Sequence, residues 1–303
     1  MTEELFRQER SPEEYGRGPM QAITPIVEKL SEMHETERAF LTGLLLRHKP
    51  RKVLELGVSS GAGTVVILNA LRQYEGAHLY SVDLLEKYYR DPAKLSGWMA
   101  DESMPELKDM RTVYLGKDIS EVIEAIGGGI DFLVLDTAHI HPVETLNFLC
   151  TLPYLAEGAI VVLHDISLHL QKKGFATASY ACRLLYATVA AEKIIPAERY
   201  APHANIGAYR ICADTLKYAK NLFLSLYLPW GRLHAKPWRE LVPHDVINSN
   251  ADLFLRCYGQ EYREMFLDAV KAQDDLRKEV SLFAYLKMLC GESARAVVKR
   301  IKK

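Results

Sequence analysis

A chain of 303 residues, 49% hydrophobic and 25% charged, has ordinary globular composition and enough length to bury a sizeable core with an extension beside it. Its 38 basic and 39 acidic residues leave a net charge of −1, so no basic excess points to nucleic acid, and no apolar run approaches the ~20 residues that span a bilayer. Five scattered cysteines form no C-x-x-C pair and read as reduced thiols, and the charged start MTEELFRQERSPEEYGRG lacks an apolar signal region, so a cytoplasmic protein is expected.

The first elements predicted are helices, from about Thr24 to Arg47, where HETERAFLTGLLL is amphipathic. Arg51-Lys52 then leads into VLEL, a short apolar run that reads as a buried parallel strand ending at Glu55 and Leu56. Gly57, Ser59, Gly61 and Gly63 follow, and Thr64 to Leu71 reads as a helix. Glycines at such a turn allow positive φ and a close approach of main chain to a ligand. Two glycine loops are excluded. No Lys-Ser or Lys-Thr follows, as a phosphate loop needs, and the spacing Gly57-x-x-x-Gly61-x-Gly63 is not G-x-G-x-x-G. A carboxylate here would repel a diphosphate and favour a cation or an amine. The alternative is a plain strand-to-helix turn.

The next strand, in HLYSVDL, ends at Asp83, where an acid can take both hydroxyls of a ribose or simply cap the loop. Tyr88, Tyr89 and Trp98 come after it as candidates for stacking on a base or bounding a second pocket. A third strand, Arg111 to Leu115, runs into LGKDIS with Asp118. A fourth, Phe132 to Leu135, ends at Asp136, with His139 and His141 close behind. A fifth, Ala159 to Leu163, ends at His164-Asp165. Five strands that end in polar residues and alternate with helices predict a parallel α/β sheet with its site at the strands' carboxyl ends. The loop ISLHLQKKGFATAS would then lie over that site, with His169, Lys172 and Lys173 able to touch an acidic acceptor. Glu192 to Tyr200 and Asn205 to Ile211 read as a last pair of strands. From Ala213 to Lys303 the chain is nearly all helix-forming, broken at Pro229-Trp-Gly231, Pro237, Pro243 and Gly291. Leu276, Val280, Phe283, Leu286 and Leu289 make an apolar stripe that would pack on the core, form a dimer surface or close a lid.

Over roughly Thr36 to Ile211 the chain resembles class I S-adenosylmethionine-dependent methyltransferases, and more closely the small-molecule O-methyltransferases that include catechol-type, cephalosporin hydroxylase-like and macrocin-type proteins. The resemblance is carried by Glu55-Leu-Gly57-x-x-x-Gly61, Ser81-Val-Asp83, Gly116-x-Asp118, Asp136-x-x-His139 and Gly158-Ala-Ile-Val-Val-Leu-His164-Asp165. It implies a Rossmann-like, doubly wound, seven-stranded α/β sheet, mostly parallel, with the last strands antiparallel to each other. It also implies S-adenosyl-L-methionine as cofactor. Glu55 and Gly57 would lie near its methionine part with Ser59 and Gly61 in the same loop, Asp83 would hold the ribose, and Asp118 or Ile119 would face the adenine. Where this chain has His164-Asp165 the catechol-type enzymes have Asp-Asn, and where it has His139 they have a lysine base. The cephalosporin hydroxylase-like group has an acid-Asp pair and a histidine there, and is locally nearer.

The expected chemistry is methyl transfer to a hydroxylated small molecule, a sugar or glycosylated metabolite. The hydroxyl needs a base or a cation to activate it. Imidazole titrates near neutrality as a side-chain type, which makes His139 a credible base beside Asp136 and Asp165. Two crowded carboxylates also suggest a divalent ion, Mg²⁺ or another, held by Asp136, His164 and Asp165. The expected organisation is an N-terminal helical segment (1–46), a methyltransferase core (47–212) and a helical extension (213–303) through which the chain would self-associate. The rival expectation is a non-catalytic protein, or one with a different reaction on the same fold, that binds the cofactor and uses the extension as an interaction surface.

Overall fold

The computed structural model describes residues 11–171, 180–198, 203–231 and 242–279. Lys172, Lys173, most of the expected apolar stripe and the breaks at Pro237 and Gly291 lie outside them. Strands β1 (Lys52–Leu56), β2 (His78–Asp83), β3 (Arg111–Leu115), β4 (Ile130–Leu135), β5 (Leu155–Leu163), β6 (Glu192–Ile194) and β7 (Gly207–Arg210) form one sheet in the order β3-β2-β1-β4-β5-β7-β6. The first five pair in parallel, and β7 runs antiparallel to both β5 and β6. The sheet is therefore the mostly parallel, Rossmann-like one expected. Its order reverses between β1 and β4, and a crevice opens there at the carboxyl ends of the strands.

Two predicted strands are shorter than expected. Pro196 has no N–H to give a ladder, and β6 stops at Ile194. Asn205 spends its main-chain carbonyl on the N–H of Ile166 and its side chain on Ser167 and Asp165, so β7 begins only at Gly207.

Helices fill both faces. On one side lie α1 (Pro12–Val27), α2 (Glu35–His48), α3 (Ala62–Leu71) and α4 (Trp98–Ser103). Helix α1 begins earlier than expected because Ser11 and Glu14 form a capping box with Pro12 in the first turn. Gly16 and Gly43 let α1 and α2 touch backbone to backbone: a Cβ on Gly16 would lie 1.9 Å from the Ala39 carbonyl oxygen, and one on Gly43 1.6 Å from that of Pro12. On the other side lie α5 (Ile119–Ile126), α6 (Val143–Thr151) and α8 (Ala181–Thr188), and the short α7 (Leu168–Gln171) follows β5. Helices α9 (Ala213–Lys217), α10 (Ala219–Ser225), α11 (His244–Tyr258) and α12 (Gln260–Glu279) come from the extension. Its aromatic residues Phe223, Phe254 and Phe266 belong to the same buried cluster as Leu54 and Leu133 of the sheet and Phe148 of α6. The described residues of the extension thus pack on the core. Gly259, at φ +95°, separates α11 from α12, a break the sequence reading did not include.

Candidate active site

A cavity of about 670 Å³ opens at the tips of β1, β2, β4 and β5, and all but one of the residues expected to bind cofactor or act in catalysis line it: Glu55, Gly57, Ser59, Asp83, Asp118, Asp136, His139 and Asp165. Gly61 stands just behind the wall as the first residue before α3, at φ +92°. Gly57 is required for a concrete reason. Its φ is +90°, and a Cβ there would sit 1.9 Å from the Asp136 carbonyl oxygen, where the tips of β1 and β4 pass each other.

One part of the cavity wall carries three acids, Glu55, Asp83 and Asp118. Asp83 accepts the N–H groups of Val58 and Ser59 on Oδ2, each at 2.9 Å, and that of Leu85 on Oδ1 at 2.8 Å. It therefore shapes the glycine turn as well as lining the cavity. Glu55 is buried, and the hydroxyls of Thr64 (2.9 Å) and Ser81 (2.7 Å) donate to its Oε2. Burial pushes its carboxyl up to about 7, against the pull of those two hydroxyls and of Arg111. Asp118 caps α5, with Oδ1 accepting the Ser120 N–H at 2.9 Å and the Asn250 amide at 3.4 Å, and it lines the cavity beside Ile119. Burial raises its carboxyl above the usual range. Of the three aromatic candidates only Tyr89 lines the cavity, its hydroxyl donating to Glu32 at 2.6 Å. Tyr88 is buried, and Trp98 lies under the Lys94 ammonium.

A second group of titratable side chains gathers at the neighbouring tips of β4 and β5. His139 Nε2 is 3.2 Å from Asp165 Oδ2 and 3.6 Å from Asp136 Oδ1, and its Nδ1 is 3.6 Å from the Cys182 sulfur and 3.8 Å from Glu144 Oε1. His139 and Asp165 both hold left-handed backbone, at φ +57° and +56°. Glu144 in the first turn of α6 accepts the main-chain N–H of His139 and thereby holds that turn. Asn205 donates to Asp165 Oδ1 at 2.7 Å. His141 lies in the turn between β4 and α6 and is buried. Burial lowers it to about 4, so it is neutral at pH 7, and it stacks on Tyr180.

His164 departs from expectation. It is buried, with Nδ1 3.2 Å from Asp136 Oδ1 and Nε2 3.3 Å from Glu37 Oε2. Burial alone would lower its pKa, but the charges of Asp136 and Asp165 and the bonds to Asp136 and Glu37 raise it well above the ordinary value. The Asp136 carboxyl, which burial would raise, is in turn drawn below its usual range by His164 and His139. With both nitrogens engaged, His164 is not among the side chains whose donor atoms converge. Among the described residues, those that bring donor atoms within 4.8 Å of one another are Asp136, His139 and Asp165, and separately His139, Glu144 and Cys182. The Asp136 and Asp165 carboxylates meet the His164 ring and the Asn205 amide respectively. Glu37, Glu144, Cys182 and Asn205 were all missed from sequence. Only Glu37 left a signal, as the acid of a capping box with His34.

Residues 54–166 match a family model described as a methyltransferase domain. A comparison with curated proteins finds no match. Among solved structures, the chain is similar to a candidate O-methyltransferase from Klebsiella pneumoniae (12% identity, 67% of this chain and 99% of that one, TM-score 0.47). It is also similar to the O-methyltransferase TomG from Streptomyces achromogenes, which takes part in tomaymycin synthesis and was solved with S-adenosylmethionine (16%, 69% and 93%, 0.46). A third is an O-methyltransferase from Bacillus cereus in complex with S-adenosylhomocysteine (14%, 69% and 94%, 0.45). Among the described residues no helix is long and apolar enough to cross a membrane. Residues 54–166 are thus similar to a methyltransferase domain.

Proposed function

We propose that the chain methylates an oxygen of a hydroxylated small molecule, such as a sugar or glycosylated metabolite, with S-adenosyl-L-methionine as donor. The observation that carries this reading is a single cavity lined at one end by Glu55, Asp83 and Asp118 and at the other by Asp136, His139 and Asp165. The first three fit the cofactor. Glu55 is a buried acid suited to its ammonium, Asp83 to its ribose hydroxyls, and Asp118 with Ile119 to its adenine. When bound, the cofactor supplies an electrophilic methyl group on a sulfonium. The chain's part is to orient the acceptor hydroxyl and take its proton, which we assign to His139, aligned by Asp165 and Asp136.

The convergence of Asp136, His139 and Asp165 within 4.8 Å supports a second reading, in which the three hold a divalent ion. Two carboxylates suit Mg²⁺, and an imidazole beside them suits Mn²⁺ or Zn²⁺. In that case the ion, not His139, would activate the acceptor. One preparation decides between the two. Methyl transfer from labelled S-adenosylmethionine to a panel of catechols and hydroxylated sugars is measured with and without a chelator. Activity that survives the chelator supports His139 as base, and activity lost and then restored by Mg²⁺ or Mn²⁺ supports the ion. In either case Asp136→Asn is expected to remove most turnover and leave cofactor affinity nearly unchanged. Binding of cofactor without transfer to any acceptor would favour a non-catalytic role. A cytoplasmic location, and self-association through the helices after residue 212, belong to the same proposal.

A further inference from the structure

Behind the cavity wall lies a second convergence of donor atoms, which the proposed methyl transfer does not use. His139 presents Nε2 to Asp165 and Asp136, and its Nδ1 lies 3.6 Å from the Cys182 sulfur and 3.8 Å from Glu144 Oε1. One donor atom from each of His139, Glu144 and Cys182 lies within 4.8 Å of the others. Glu144 and Cys182 are fully buried, and of the three only His139 lines the cavity. The spacing is that of a metal shell. A tetrahedral ion with Zn–N, Zn–S and Zn–O bonds of about 2.0, 2.3 and 2.0–2.2 Å separates nitrogen from sulfur by about 3.6 Å and nitrogen from oxygen by about 3.4 Å. The separations of 3.6 and 3.8 Å here need little movement to close on one. An S–H···N bond from Cys182 to His139 would account for that pair but leaves Glu144 unexplained. Among the described residues the only basic side chain within ion-pair distance of Glu144 is His139, and Glu144 Oε2 is buried with no hydrogen-bond partner. A buried acid without a cation is costly. Glu144 Oε1 is held by the Thr137 hydroxyl at 3.1 Å and the His139 main-chain N–H, and Asn147 donates to Thr137 at 3.4 Å. Outer bonds of this kind fix the orientation of ligating groups.

We propose that His139 Nδ1, the Glu144 carboxylate and the Cys182 thiolate form a site for Zn²⁺, distinct from the set Asp136, His139 and Asp165. A thiolate with an imidazole selects Zn²⁺ over Mg²⁺, which the two aspartates suit. The cavity gives the ion a path, since His139 lines it. On binding, the Cys182 S–H proton leaves to solvent, and the two charges of the ion balance those of the thiolate and Glu144. Three protein ligands leave a fourth position for water. The site does not need the proposed methyl transfer, but it bears on it. With Nδ1 on the ion, the neutral ring carries its proton on Nε2 and cannot serve as base, so Zn²⁺ is expected to inhibit transfer.

The test uses the full chain, freed of metal by dialysis against a chelator and titrated with Co²⁺ and then Zn²⁺. The expected result is a thiolate-to-cobalt charge-transfer band in the near ultraviolet that saturates at one ion per chain and is bleached by Zn²⁺. Cys182→Ser should abolish the band and weaken Zn²⁺ binding at least tenfold. Glu144→Gln should weaken Zn²⁺ binding by a similar factor and keep the band, and Asp165→Asn should keep both band and affinity. X-ray absorption of the zinc-loaded wild type needs no variant: it should show one sulfur at about 2.3 Å, with nitrogen and oxygen at about 2.0–2.2 Å. A shell of nitrogen and oxygen only, no cobalt band in the wild type, or a band and zinc affinity unchanged in Cys182→Ser would each overturn the proposal. With an acceptor from the panel, saturating Zn²⁺ should lower transfer by the wild type tenfold or more and by Cys182→Ser less. A chain that shows the sulfur shell but transfers methyl groups regardless of Zn²⁺ would remove His139 as base and leave the site standing. If the wild type methylates nothing, the proposed function fails, and the cobalt and X-ray spectra still decide the site.

Discussion

At the tip of β1, Glu55 keeps hydroxyl donors on its carboxylate, and burial still lifts it to about 7. The sign of its effect on stability follows. An unfolded glutamate loses its proton near its ordinary value, while the folded one keeps it up to about 7, so stability falls as pH rises between those points and the penalty is full above them. That penalty is on the order of 3 kcal/mol at most. Glu55→Gln should therefore be more stable than wild type at pH 8, with the gap closing towards pH 5, as urea unfolding at the two pH values will read. The same variant should bind S-adenosylhomocysteine more weakly, because an ammonium needs the ionised acid. By the same linkage, wild-type affinity for this ligand should rise several-fold between pH 6 and pH 7.5, which calorimetry can follow. Asp83 combines two roles at the next tip. Its three main-chain bonds hold the glycine turn, so Asp83→Ala should lower thermal stability as well as cofactor affinity.

At the scale of elements, α1 and α2 matter because α2 carries Glu37 to the site. Their contact depends on Gly43, where a Cβ would lie 1.6 Å from the Pro12 carbonyl oxygen. Gly43→Ala should cost about 1–3 kcal/mol, as overpacking of a tight contact does. Gly18, also in α1, has nothing within 4 Å of its Cβ position, and Gly18→Ala should be neutral or stabilise by about 0.5–1 kcal/mol. Urea unfolding of the two variants side by side checks this. The tips of β1, β2, β4 and β5 were legible in sequence because each strand is an apolar run stopped by an acid or a histidine, a pattern local to a few residues. Glu37 against His164 and Asn205 against Asp165 were not. These contacts join residues 127 and 40 apart, and packing of separate elements brings them together. His164 shows the consequence: its neighbour Asp165 made it look like a ligand, and only a distant helix reveals that both its nitrogens are taken.

At the scale of the whole molecule, the helices that follow the sheet share its core, with Phe223, Phe254 and Phe266 in the same cluster as Phe148. Asn250 of α11 reaches Asp118, so the extension supports the wall of the cavity there. A ligand that binds only the folded chain stabilises it by about 2.7 kcal/mol at a hundred times its dissociation constant. S-adenosylhomocysteine should accordingly raise the melting temperature, and inorganic diphosphate, repelled by Glu55, should not. The central claim is that the acids at the strand tips bind this cofactor, and calorimetric titration with S-adenosylhomocysteine of wild type and Asp83→Ala tests it most directly. The expected result is saturable binding to wild type, weakened in the variant by roughly 1.5–3 kcal/mol, on the order of 10- to 150-fold. No heat and no thermal shift with wild type at millimolar ligand, or equal affinity in a folded Asp83→Ala, would contradict it.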